Sequence, residues 1–148
     1  MRNLRFKKGH IYHIYNRGNR KTRIFFQEND NQRFVRTICK YSQEFDMKIL
    51  AYCLMPNHYH ILLKQCGNTT VSVYMQRVGL SYTLYMNKKY MMVGHLFQGA
   101  FGAKVVLRTR NLKRVVEYIK GNPVKEGLVE RDYDYRWLYV ASARDLSL

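Results

Sequence analysis

Two strand-forming runs follow one another directly in this chain, Lys48–Met55 and His58–Lys64, with only Pro56-Asn57 between them. Proline gives up its backbone N–H and fixes φ, so this dipeptide breaks the first strand. Any fold must therefore seat two strands in immediate succession. The second run carries His58-Tyr59-His60. Alternate side chains of a strand share a face, so both imidazoles look one way while Tyr59, Ile61 and Leu63 look the other. Two imidazoles on a rigid strand make two-thirds of a site for a divalent cation with open positions. The bland alternative is a packed or exposed histidine pair with no ligand, and the rest of the chain has to decide.

Periodicity supplies the surrounding elements. Residues 9–16 alternate and are rich in β-formers, predicting a first strand that ends in the basic turn 16–23. Asn29 with Gln32 resembles a helix start, and Phe34, Ile38, Tyr41 and Phe45 then mark one helical face. Thr69 or Thr70 caps a long helix with a stripe of Val71, Tyr74, Met75, Val78, Tyr82 and Tyr85. A glycine-punctuated loop, 94–102, leads to a β-branched strand near 103–107. Asn111 opens a last helix that buries Leu112, Val115, Val116 and Ile119, and Pro123 is expected to end it. The tail, with Tyr133, Tyr135 and Trp137, is expected to pack back. Strand, helix, strand, strand, helix, strand, helix is the α+β, ferredoxin-like split βαβ pattern. It predicts an antiparallel sheet with helices on one face and the histidines on the other.

The 148 residues are read as one domain, 1–148, long enough to bury roughly 68–70% of the unfolded surface without staples. Twenty-six Lys and Arg against 10 Asp and Glu give a net charge of +16, a field that attracts polyanions. Nucleic acid is the leading partner, ahead of an anionic membrane surface or a ribosomal RNA scaffold. Met1–Lys8 is basic but no apolar core follows, so no secretory signal is read, and no apolar run approaches a membrane span. Cys39, Cys53 and Cys66 are odd in number, fit no zinc spacing and read as reduced thiols.

The last helix offers what the histidine strand lacks. Asn111, Arg114, Tyr118 and Asn122 fall on a stripe beside its apolar face, and Tyr118 and Asn122 are i, i+4 partners pointing the same way. The Asn122 amide oxygen could complete a mixed nitrogen-and-oxygen site, with the Tyr118 phenol beside it. A phosphodiester repels nucleophiles, so a cation must neutralise a non-bridging oxygen and hold the phosphate in line for attack. A phenol attacking it would leave a covalent phosphotyrosine that stores the bond energy for rejoining. The plainer alternative makes Tyr118 one of 13 tyrosines that merely borders the core.

Four segments together resemble a known family: residues 12–19 (YHIYNRGN), 51–63 (AYCLMPNHYHILL), 94–98 (GHLFQ) and 118–129 (YIKGNPVKEGLV). They are similar to the single-tyrosine HUH transposases, the IS200/IS605-like enzymes, and especially to the REP-associated tyrosine transposase branch. The resemblance implies a single-strand DNA endonuclease and strand transferase that uses Mg²⁺ or Mn²⁺ and passes through a 5′-phosphotyrosine. It matches His58 and His60 to the metal-binding histidines, Tyr118 to the nucleophile and Asn122 to the third ligand. It implies single-stranded or hairpin DNA as partner, either a monomer or a homodimer, and a cytoplasmic protein at the bacterial nucleoid. The tail sequence Tyr135-Arg136-Trp137-Leu138 follows the family's Trp-Ser-Ser-like ending only in part.

Candidate DNA contacts are Arg17, Arg20, Lys21 and Arg23 in the basic turn, and Arg108, Arg110, Lys113 and Arg114 around the last helix. The N-terminal Arg2, Arg5, Lys7 and Lys8 join them, with His95 and Gln98 in the glycine-rich loop. His10 and His13 are read as strand residues without catalytic duty. The rival readings are a non-catalytic or domesticated single-strand nucleic-acid-binding protein and a relaxase-like relative. The histidine pair disfavours a bare binding module, and the single tyrosine helix after the histidine strand disfavours a relaxase.

Overall fold

The computed structural model describes residues 4–146. Its elements are β1 (Ile11–Arg17), α1 (Glu28–Glu44), β2 (Met47–Met55), β3 (His58–Gln65), α2 (Val71–Tyr90), β4 (Gly102–Val106), α3 (Thr109–Lys125), β5 (Leu138–Val140) and α4 (Ala143–Leu146). The sheet order is β4-β1-β3-β2-β5, and every neighbouring pair is antiparallel. β3 is inserted between β1 and β2, which is the split βαβ arrangement expected from the element order. β5 lengthens the sheet beyond the four expected strands; three residues are too short for alternation to declare them.

Period-two alternation sorts the strands into two faces. One presents Tyr12, Ile14, Leu54, Tyr59, Ile61 and Leu63 to α1 and α2, which contribute Phe34, Ile38, Tyr74, Val78, Tyr82 and Met86. Each fully buried large apolar side chain there contributes about 1.5–3 kcal/mol. The buried phenols keep their hydrogen bonds: Tyr74 Oη donates to the Ile38 carbonyl at 2.7 Å and Tyr82 Oη to the Ile24 carbonyl at 2.6 Å. Met86 takes the buried place at the end of the α2 stripe, where Tyr85 is only half-buried.

The opposite face presents Ala51, Cys53, Met55, Leu62 and Val106 to Leu112, Val116 and Ile119 of α3. The three long helices thus divide two and one between the faces, where the element order alone put them all on one. α1 and α2 already fill the first face. Only Leu107 and Arg108 separate β4 from α3, so the chain folds straight over onto the second.

The helix ends differ from the sequence reading in instructive ways. α1 is capped by Gln27 and Asp30, each side chain taking the other's backbone N–H, rather than by Asn29 and Gln32. Thr70, not Thr69, caps α2, its Oγ1 accepting from Val73 N at 3.3 Å. α3 begins at Thr109 and runs through Pro123 to Lys125. Pro123 gives up the bond its N–H would make to the Ile119 carbonyl, but its φ suits the helix and only the last turn lies beyond it. The stop is Gly127, at φ 74°, with its N–H on Val124 O at 3.0 Å and that of Leu128 on Pro123 O at 2.9 Å. The tail packs back as expected: Tyr135 Oη donates to Leu54 O at 2.6 Å, and Leu54 N donates to Trp137 O at 2.9 Å.

Candidate functional site

β3 holds His58 and His60 at the middle of the sheet, opposite Arg17 and Tyr15 on β1 and opposite Met55 and Cys53 on β2. His60 is buried and His58 half-buried, while Tyr59 between them is 2% exposed in the core of the other face. α3 closes the constellation. Asn122 is buried, with Oδ1 3.4 Å from His58 Nε2 and Nδ2 3.4 Å from His60 Nε2. One turn earlier, the ring of Tyr118 stands edge-on to His60, centroids 5.5 Å apart, and is 50% exposed. The structure therefore brings together the four residues singled out in sequence, all from one chain.

The donor chemistry can be tested for a cation. Asn57 Nδ2 donates to Lys21 O at 3.4 Å, which turns its Oδ1 toward His58 Nδ1 at 2.8 Å. His58 Nδ1 is then the donor, and Nε2 carries the lone pair. That lone pair faces the Asn122 amide oxygen, and Glu126 Oε1 lies 3.9 Å from the same nitrogen. Three acceptors meet there, as a cation requires. A ligating imidazole ordinarily has its second nitrogen hydrogen-bonded, as Asn57 does for His58. Among the described residues no group of three or more His, Cys, Asp and Glu side chains could hold a metal ion. A site built on the two imidazoles would take its third donor from the Asn122 amide oxygen.

Sequence reasoning passed over four neighbours. His13 is buried and its Nε2 lies 2.9 Å from His60 Nδ1, with its ring 5.9 Å from that of Tyr118. Alternation on β1 puts His13, Tyr15 and Arg17 on one face, so the signal was present once β1 is paired with β3. Burial, with Lys104 nearby, lowers His13 to about 4; burial, then His13 and His58, lowers His60 to about 3. Both rings are neutral at pH 7. Tyr15 lies over Gly102, where an added Cβ would come within 2.3 Å of its ring, so only glycine leaves that space. Asn57 and Glu126 complete the set.

Of the candidate DNA contacts, Arg17, Lys21 and Gln98 border a cavity of about 830 Å³ that His58, His60, Tyr15 and Glu126 also line. Arg17 Nε donates to Gln98 Oε1, and Gln98 N to Arg17 O at 3.0 Å, so the glycine-rich loop is fastened to the end of β1. Arg20 lies beside this cavity in a smaller one with Arg17 and Lys21. Arg23 turns away, donating to Phe25 O at 3.2 Å and lining a separate hollow with Tyr135 and Trp137. Arg108, Arg110 and Arg114 are exposed around the start of α3 and do not line the main cavity. Arg2 lies outside the described residues. The three cysteines are free, and no described helix is long and apolar enough to cross a membrane.

Comparison with known proteins identifies the family and the fold. Residues 6–122, which include His58, His60, Tyr118 and Asn122, match the family described as IS200-like transposase. A solved REP-associated tyrosine transposase bound to a REP hairpin superposes with a TM-score of 0.80 at 20% identity, covering 93% of this chain and 81% of that one. A candidate transposase from Deinococcus radiodurans R1 gives 0.56 at 12% identity, covering 82% of this chain and 97% of the other. At such identities these likenesses establish the fold. No curated protein sequence matches the chain.

Proposed function

Because the chain belongs to the IS200-like transposase family, we propose that it nicks and rejoins single-stranded DNA with Tyr118 as nucleophile. The observation that carries this reading is the packing of the Tyr118 ring against His60, with Asn122 reaching both imidazoles one turn later. His58, His60 and Asn122 would hold Mg²⁺ or Mn²⁺. The ion, when bound, supplies charge neutralisation at a non-bridging phosphate oxygen.

The chain's own groups do the rest. Tyr118 Oη attacks phosphorus, forming a P–O bond as the bond to the 3′ oxygen breaks. The phenolic proton passes to solvent, and the departing 3′ oxygen takes one up as a hydroxyl. The 5′ phosphate stays on Tyr118 until another 3′-hydroxyl attacks it, which restores the phenol and the phosphodiester. Arg17 and Lys21, at the cavity rim, are placed to hold flanking phosphates.

Hairpin-bearing DNA is the proposed substrate, by likeness to the hairpin-bound relative and from the net charge of +16. Tyr118 and the imidazoles come from one chain, so the site needs no second copy, although a homodimer is compatible with it. The reading places the protein in the cytoplasm with the bacterial nucleoid. A non-catalytic module would use an open sheet face for nucleic acid; here α3 packs on the face that carries the histidines.

The test is incubation with a hairpin-bearing single strand and Mn²⁺, followed by a denaturing gel. The expected result is a covalent protein–DNA band that Tyr118→Phe abolishes. A band of undiminished intensity in that variant would place the nucleophile elsewhere.

A further inference from the structure

His13 has no place in the chemistry above, yet it is buried against both halves of the site. Its Nε2 is 2.9 Å from His60 Nδ1, and its ring contacts those of His60 and Tyr118 at 5.1 and 5.9 Å. Two neutral rings that share this contact hold one proton between them. On His13 Nε2, that proton leaves His60 protonated at Nε2, and the nitrogen facing Asn122 has no lone pair to offer. On His60 Nδ1, it leaves His60 Nε2 free, facing Asn122 Nδ2 at 3.4 Å as the structure shows. The second arrangement requires an acceptor at the position of His13 Nε2. Without one, an N–H at His60 Nδ1 would be buried unpaired, and the proton would move to Nε2.

We propose that His13 is a positioning residue: its Nε2 accepts the Nδ1 proton of His60 and so turns the His60 Nε2 lone pair toward Asn122 and the cation. This rests on the reading that His58, His60 and Asn122 form the metal site. His13 does for His60 what the Asn57 amide does for His58, so each imidazole is aimed by its own partner. The two partners come from different places. Asn57 adjoins His58 in sequence, whereas His13 reaches His60 only through the pairing of β1 with β3.

The test is Mn²⁺ binding by calorimetry to the whole chain without DNA. His13→Phe keeps a flat ring but has no acceptor, and its affinity should fall by about 10- to 100-fold. His13→Gln, which can return an oxygen near the lost nitrogen, should recover most of that loss, with thermal melting monitored for all three proteins. Equal Mn²⁺ affinity in the wild type and a folded His13→Phe overturns the proposal while leaving the metal site standing. Absence of Mn²⁺ binding by the wild type overturns the metal-site reading and this inference with it. Independently of metal and of variants, ¹⁵N NMR of the histidine rings should find the His60 proton on Nδ1. A proton on Nε2 of His60 overturns the proposal.

Discussion

Asp30 and His60 sit on opposite sides of the sheet, both buried and both at the centre of a polar cluster, but the clusters are built differently. Asp30 ties the start of α1 to the end of α2. It accepts from Phe26 N and Gln27 N at 3.0 Å, Tyr85 Oη and Lys89 Nζ at 2.8 Å and Tyr90 Oη at 2.6 Å. Burial alone would raise its carboxyl, but the bonds from Lys89, Tyr90, Tyr85 and the Gln27 N–H outweigh that and hold it at about 2. Around His60 and His58 the balance is reversed, with an amide oxygen and a carboxylate turned toward an imidazole lone pair. Donors and acceptors cancel in the first cluster, which leaves a tie between two helices. In the second they do not cancel, which leaves room for a ligand.

The sharpest way to break this contrast is His60→Ala. Loss of a partner outside the ligand shell costs about 10- to 100-fold in other metal sites, so loss of a ligand should slow Mn²⁺-dependent cleavage by at least about 100-fold. Single-turnover cleavage of a hairpin oligonucleotide measures it. An unchanged rate at saturating metal would show that the open cluster binds no cation.

Asp30→Asn should do the converse. It strips the charge from a closed network and should cost about 2–3 kcal/mol of stability in urea unfolding. Cleavage by the folded fraction should stay at the wild-type rate. A loss below about 0.5 kcal/mol would mean the network contributes little beyond an ordinary surface position.

Acid titration separates the clusters by pH rather than by size. His13 and His60 are lowered from 6.5 to about 4 and about 3, so the unfolded chain protonates first. Their share of stability is complete above about pH 6.5 and drains away as pH falls toward 4 and then 3. Asp30 is lowered from 3.8 to about 2, so its share persists to about pH 4 and is lost as pH falls through 2. Urea midpoints measured from pH 7 to pH 2 should fall in two stages. A single stage beginning below pH 4 would mean the histidines are not held neutral.

How much of this was legible in the chain depends on range. His58, His60, Tyr118 and Asn122 announced themselves because each pair lies within one element, where a period of 2 or 3.6 tells which side chains share a face. His13 did not, because its partner is 47 residues away and only strand register joins them. Asp30 was equally hidden, its phenol and ammonium donors lying at the far end of α2. Pro123 misled for a related reason. The rule that proline ends a helix is local, whereas Gly127 and the buried seat of Pro123 set the true end.

The amino-acid sequence by itself determined the order of the elements, the common face of the two imidazoles and the common stripe of phenol and amide. These follow from backbone geometry over a few residues and survive any docking of the pieces. Tertiary structure alone decided that α3 lies on the histidine face, that β1 brings a third imidazole to the pair, and that one carboxylate is closed off while another faces the site. Such choices are set by apolar burial summed over the whole chain and by the register of strands far apart in it, and no short window of residues contains that sum.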